Sequence, residues 1–188
     1  MGTISSEKYI RTLKSLANRR IAAVALLGFA SGLPLALTGG TLQAWMAVEG
    51  VDLKTIGFFS LVGLPYAFKF FWAPLLDRYA LPFLGRRRGW ILCTQFALIG
   101  LIILLGLTSP KDTPLLVALL ALFLTFTSAS QDIVIDAYRT DVLREKERGL
   151  GAAVSVTGYR IAMLVSGALA LILAGPLGWR LTYLLMAG

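Results

Sequence analysis

Apolar runs close to the length of a membrane crossing recur along this chain, and they restrict its fold more than any other feature. A helix needs roughly 20 apolar residues to cross a hydrocarbon core of about 30 Å. The 188 residues are 57% hydrophobic and 15% charged, which is too apolar for an ordinary soluble domain. We therefore predict an all-α membrane protein. Its predicted spans cover residues 21–48, 54–79, 89–107, 115–138, 149–174 and 181–188, the last incomplete.

The distribution of basic residues predicts how the chain is oriented. Segment 1–20 and the loops after the second and fourth spans hold most of the 18 Lys and Arg residues. The positive-inside rule then places segment 1–20 in the cytoplasm, either as a tail that fixes topology or as an interfacial helix. This loop bias explains the net charge of +8. A basic face with interleaved aromatic residues is lacking, so we expect no nucleic-acid partner.

Cysteine and histidine content argues against a disulfide framework and against a metal. Cys93 is the single cysteine, and the sequence contains no histidine. A zinc site needs several such ligands, so we expect neither a bound metal nor another cofactor.

Two carboxylates near the end of the fourth span are candidates for proton coupling. Asp132 and Asp136 are four residues apart and share one helix face with Arg139. With helix entry at Pro114, Asp132 lies about 27 Å along the helix, roughly one turn inside the cytoplasmic boundary. It is a proton carrier or a structural partner of interior cations. Asp136 is closer to water, which favours a structural role.

Lys69 and Arg160 are the two cations that fall inside predicted spans. Arg160 lies near the membrane midplane, where a guanidinium facing lipid is costly. We therefore expect it to face an interior cavity or a carboxylate, with Asp132 as the nearest candidate. Lys69 either neutralises the same carboxylate or extends its ammonium group to the membrane surface.

Uncharged polar residues inside the spans are candidates for contacts with a hydrated substrate. They are Gln43, Gln131 and Tyr159. Each is equally suited to a hydrogen bond between neighbouring helices. Gln43 and Trp45 suggest a sugar-stacking entrance, although a Trp at that depth is also a common interfacial anchor. Small residues recur at every fourth position in the first span, namely Gly28, Gly32, Ala36 and Gly40, and predict close helix packing.

The loop after the second span resembles the signature loop of the major facilitator superfamily, G-x-x-x-D-R-x-G-R-[RK]. Its matching residues are Asp77, Arg78, Gly85, Arg86, Arg87 and Arg88. Ala73 replaces the first glycine, and five extra residues precede Gly85. More specifically, the segments FASGLPLALTGGTLQAWM, SASQDIVIDAYRTDVL and GAAVSVTGYRIAMLVSG are similar to the AmpG-type muropeptide permeases of that superfamily.

This resemblance implies a fold and a function. The fold is the N-terminal six-helix half of a major facilitator protein, with its last helix truncated. The function is import of N-acetylglucosaminyl-anhydro-muropeptides across the bacterial inner membrane by proton symport, for peptidoglycan recycling. The implied partners are the lipid bilayer, the muropeptide, protons and the missing C-terminal half. The signature-loop residues are implied to form an inner gate.

Other functions remain open at this point. A major facilitator protein of this kind can carry a different anionic metabolite, such as acetyl-CoA. A non-transporting membrane scaffold is an alternative of another class. An intramembrane enzyme is disfavoured, because the sequence contains no histidine and no recognisable nucleophile motif.

Overall fold

A computed structural model describes residues 18–79 and 85–187, and these residues fold into helices without any β-strand. The predicted all-α class is confirmed. The helices are α1 Arg19–Thr38, α2 Gly40–Val48, α3 Leu53–Phe59, α4 Leu64–Phe68, α5 Ala73–Arg78, α6 Arg86–Gly106, α7 Pro114–Val142, α8 Glu145–Leu164 and α9 Ala170–Met186. Four stretches are long and apolar enough to cross a membrane, namely Arg19–Val48, Arg87–Gly106, Pro114–Val142 and Glu145–Met186.

The segment predicted as one span, residues 54–79, is not a single continuous helix in the structure. It consists of α3, α4 and α5, which are separated by 3₁₀ turns at Ser60–Gly63 and Lys69–Phe71. Pro65 and Pro74 lie in the first turns of α4 and α5, where a missing N–H leaves no helix bond unmade. The prolines therefore start new helices, and this interruption places Lys69 at the second 3₁₀ turn.

Side chains define where α3 and α8 begin. The Asp52 carboxylate accepts hydrogen bonds from the Thr55 backbone N–H at 2.9 Å and from the Thr55 hydroxyl at 2.6 Å. These bonds hold the pKa of Asp52 below its usual value. At α8 the Glu147 carboxylate accepts a hydrogen bond from the Arg144 N–H at 3.2 Å, so the helix begins at Glu145 rather than at the predicted residue 149.

The remaining boundaries also depart from the predicted spans. The first span breaks at Gly39, whereas Pro34 lies inside α1. The π turn Val165–Leu169 joins α8 to α9 without a break in the helical path. The predicted turn 175–180 narrows to a sharp kink at Gly178, where φ is +76°. Only glycine adopts such an angle without strain, so one residue is enough to redirect the chain.

Small residues bring α1 and α8 into backbone contact, as predicted for Gly28 and Gly32. A Cβ atom on Gly28 would lie 2.5 Å from the Ser155 carbonyl oxygen, and one on Gly32 would lie 2.4 Å from that of Tyr159. From the opposite side, a Cβ atom on Gly158 would lie 2.7 Å from the Ala25 carbonyl oxygen. Gly40 has no such neighbour within 4 Å in the described part of the chain, so the contact ends before α2.

An aromatic cluster packs α2 against α9. Trp45 is 3% exposed and lies 5.9 Å from Trp179 and 5.1 Å from Tyr183, measured between ring centroids. The buried Tyr183 hydroxyl donates a hydrogen bond to the Leu37 carbonyl at 2.8 Å. The expected sugar-stacking role of Trp45 is therefore wrong, because its ring is covered by other aromatic rings. Gln43, on the same helix, is half-buried.

Candidate functional site

One turn of α7, residues 128–132, connects that helix to its neighbours. Ser128 accepts a hydrogen bond from the Tyr66 hydroxyl at 2.6 Å, and Ser130 accepts one from the Trp72 indole N–H at 3.0 Å. Gln131 is fully buried and donates to the Gln95 side-chain oxygen at 2.5 Å. Since lipid offers no hydrogen-bonding partners, these polar contacts fasten the helices together. Gln131 thus acts as a link between α6 and α7.

Asp132 completes this turn and forms an ionic contact in the bundle. Its Oδ1 accepts a hydrogen bond from the Ser31 hydroxyl of α1, and its Oδ2 lies 3.6 Å from Lys69 Nζ. The Asp132 side chain is 11% exposed and that of Lys69 is 35% exposed. Lys69 is therefore the partner of Asp132. Of the two surroundings expected for Arg160, a carboxylate or an interior cavity, the structure shows the cavity. Lys69 lies in the 3₁₀ turn Lys69–Phe71, whereas Arg160 on α8 has no carboxylate oxygen within 4 Å among the described residues.

A cavity of about 230 Å³ adjoins Asp132 between α1, α7 and α8. Asp136 lies on its wall and pairs with Arg139, with 3.1 Å between Oδ1 and Nη2. Tyr159 and Arg160 lie on the opposite wall, on α8. The cavity therefore collects most of the interior polar residues that the sequence singled out. Gln43 and Gln131 are not among its lining residues.

The signature loop forms an ionic link between three helix ends. Arg87, at the start of α6, pairs with Asp77 at the end of α5 and lies 3.2 Å from Asp141 Oδ2 near the end of α7. Gly85 precedes α6 with φ of +79°, which favours glycine. Arg78 is exposed at the end of α5. Residues 80–84 and the Arg86 side chain lie outside the described part of the chain.

Arg88, the last arginine of the signature loop, lies at a different place from Arg87. Arg88 lines a separate groove of about 390 Å³ together with Arg19, Arg20 and Tyr138. Of the signature-loop arginines whose side chains the structure describes, Arg87 thus joins Asp77 and Asp141, and Arg88 lines this groove.

Ser31, Tyr66 and Ser128 belong to the site and were missed by the sequence reasoning. Tyr66 precedes Lys69 by three residues, a spacing that puts two side chains on one helix face. Ser31 follows Gly28 by three residues, next to the ridge that contacts α8. Both spacings are visible in the sequence. However, serine and tyrosine are common in helix interiors, so spacing alone does not separate them from packing residues.

Comparison with known proteins identifies the family. The Major Facilitator Superfamily profile matches residues 24–188. The chain belongs to the major facilitator superfamily. This membership confirms the predicted superfamily and makes the chain part of a multi-pass membrane transporter family.

Two relatives indicate which group within the superfamily this chain resembles. The anhydromuropeptide permease of Escherichia coli strain K12 is 59% identical over 183 residues, which are 97% of this chain and 37% of the relative. The putative transporter AmpG 1 of Rickettsia conorii is 37% identical over 177 residues, 92% of this chain and 42% of the relative. The resemblance to AmpG-type permeases is confirmed. The chain spans less than half the length of these two relatives.

Proposed function

We propose that this chain forms the N-terminal half of a proton-driven importer of N-acetylglucosaminyl-anhydro-muropeptides in the bacterial inner membrane. Segment 1–20 lies in the cytoplasm, and a C-terminal half completes the substrate path. The protein is a transporter and not an enzyme. The observation that carries the proposal is the Asp132–Lys69 pair beside a cavity, since ionisable groups inside a membrane bundle mark ion or proton pathways. The permease that is 59% identical supports the choice of cargo.

Asp132 is the proton carrier in this proposal. When it is ionised, it attracts the Lys69 ammonium group 3.6 Å away. A proton on Asp132 removes that attraction and leaves Lys69 without a counter-charge. Lys69 then moves toward water or toward a substrate anion, because an unpaired ammonium inside the bundle is unfavourable. The hydrogen bond from Ser31 orients the carboxylate while its charge changes.

The Asp77–Arg87–Asp141 link is the inner gate in this proposal. Its three residues join the ends of α5, α6 and α7. Both carboxylates are about half exposed, which keeps each contact weak enough to break and re-form. Breaking these contacts lets the helix ends separate when the transporter opens toward the cytoplasm.

A chimera tests the proposal directly. This chain replaces the matching 183 residues of the Escherichia coli permease, which supplies the remaining length. Right-side-out vesicles containing the chimera are given labelled anhydro-muropeptide, with and without an inward proton gradient. We expect gradient-driven uptake that collapses in the Asp132→Asn variant. Asp112→Asn serves as the matched control, because Asp112 is exposed in the turn before α7 and is not among the residues that line the cavity.

Three results would contradict the proposal at different levels. Uptake by the Asp132→Asn variant that still follows the gradient would make Asp132 structural and leave transport intact. Absence of uptake by a folded, membrane-inserted chimera would refute muropeptide transport. Competition by acetyl-CoA, with no competition by anhydro-muropeptide, would favour the alternative cargo.

A further inference from the structure

The cavity beside Asp132 contains an imbalance of charge. Two of its acidic residues already have basic partners: Asp132 contacts Lys69, and Asp136 contacts Arg139. Arg160 lies on the cavity wall, and within residues 18–79 and 85–187 no carboxylate oxygen comes within 4 Å of its guanidinium. One positive charge therefore remains without a partner at the cavity.

The position of Arg160 makes this imbalance costly. It lies 15 residues after the first residue of α8, about 22 Å along the helix. At that depth a guanidinium group is strongly unfavourable unless it meets water or an anion. Gly158 is in backbone contact with α1, as is Tyr159 through its carbonyl oxygen. These contacts fix the backbone of α8 just before Arg160, whose exposed side chain lines the cavity.

We propose that Arg160 binds a carboxylate of the transported molecule. This inference rests on the proposed transport function and names the chemical class that the cavity recognises. A guanidinium group presents paired N–H donors that match the two oxygens of a carboxylate. Lys69 is less suited to this task, because its ammonium is already engaged by Asp132. Arg160 is thus the determinant of a preference for acidic cargo.

The size and lining of the cavity indicate which part of the cargo it takes. Cavities that enclose a whole small ligand measure about 300–1,000 Å³, and this one measures about 230 Å³. It accommodates one end of a larger molecule. The lining residues Val156, Tyr159 and Met163 provide apolar and aromatic surface beside the guanidinium. An acidic end of a peptide fits this combination, whereas a neutral sugar leaves Arg160 without a partner.

Binding and uptake by the chimera test the inference with a pair of cargoes. One is anhydro-muropeptide with free peptide carboxylates, and the other is the same compound with those carboxylates amidated. We expect the unsubstituted chimera to prefer the free acid by about 10- to 100-fold, the range expected for a hydrogen-bonded charge pair. Arg160→Gln should abolish this preference mainly through KM and the binding constant. Arg160→Lys should restore part of it. Arg180→Gln, an exposed arginine away from the cavity, is the control.

The outcomes separate this inference from the proposed function. Binding that prefers the free acid, without uptake, would support the role of Arg160 and refute transport. A preference that survives Arg160→Gln would overturn the inference and leave transport unaffected. An equal loss of binding for both cargoes in Arg160→Gln would also overturn it, because Arg160 would then serve a carboxylate elsewhere in the transporter.

Discussion

Replacing Gly32 with alanine tests how tightly the α1–α8 contact constrains the bundle. The new Cβ atom would lie 2.4 Å from the Tyr159 carbonyl oxygen, whereas ordinary contact begins near 3.4 Å. The two helices would have to separate by about 1 Å, since a backbone carbonyl cannot rotate away as a side chain can. Such overpacking costs about 1–3 kcal/mol. Alanine also stabilises a helix by up to about 1 kcal/mol relative to glycine, which offsets part of that cost.

Gly100→Ala is the matched control for this effect. Gly100 lies inside α6, and a Cβ atom there meets no described atom within 4 Å. It should therefore show the gain in helix propensity without the clash. We expect thermal unfolding of the purified chimera in detergent to occur at a lower Tm for Gly32→Ala than for Gly100→Ala. The gap should correspond to about 1–3 kcal/mol.

Gly32→Ala should also change the geometry of the candidate site. Separation at Tyr159 moves Arg160 away from Ser31 and Asp132, which lie on α1 and α7. We expect reduced muropeptide uptake in Gly32→Ala at equal protein level, with uptake by Gly100→Ala unchanged. A Gly32→Ala chimera that unfolds at or above the Tm of Gly100→Ala would refute the close contact on which this reasoning depends.

Four further substitutions probe three other contacts. Tyr183→Phe leaves the buried Leu37 carbonyl without its donor and should lower stability by about 1–2 kcal/mol, seen as a lower Tm; an unchanged Tm would contradict that hydrogen bond. Gln95→Leu removes the acceptor of Gln131, a fully buried side chain whose Oε1 already has no described partner, whereas Gln131→Leu removes that buried polar group itself. Gln95→Leu should therefore lower the Tm more than Gln131→Leu, and equal losses of Tm would argue against this asymmetry. Arg87→Gln should cost no more than about 1 kcal/mol, since Asp77 and Asp141 are half exposed, yet it should reduce uptake strongly; normal uptake would exclude a gating role.

The sequence was sufficient for features that depend on local properties of the chain. Apolar run length indicated membrane-spanning helices, and four-residue spacing indicated the contact at Gly28 and Gly32. The interruption of the second span was also encoded locally, in Pro65 and Pro74, which lie where new helices start. A proline in the first turn is compatible with a helix start, and the pattern alone does not choose between a start and a bend.

The site itself depended on how separate helices are rotated against one another. Asp132 had two candidate cations, Arg160 and Lys69, and the sequence did not choose between them. The structure pairs Asp132 with Lys69, which lies in the 3₁₀ turn Lys69–Phe71. The burial of Trp45 was also not predictable from the sequence, because Trp179 and Tyr183 cover it through a contact between α2 and α9. Neither pairing follows from spacing within one helix.

The arrangement around Asp132 limits which part of the bundle responds to a proton. Tyr66 and Trp72 flank Lys69 in sequence, and both are hydrogen-bonded to serines of α7. Between these two anchors, Phe70 and Phe71 stack on each other with 4.3 Å between ring centroids, and they are 62% and 68% exposed, so the described helices do not cover this side of the turn that carries Lys69. If protonation of Asp132 releases Lys69, the anchors remain and the movement is confined to the turn Lys69–Phe71. A spin label at Phe70 should therefore change mobility with pH, whereas one at Phe123 on α7 should not, and Asp132→Asn should abolish the difference. Equal changes at both positions would mean that the helices move as one body.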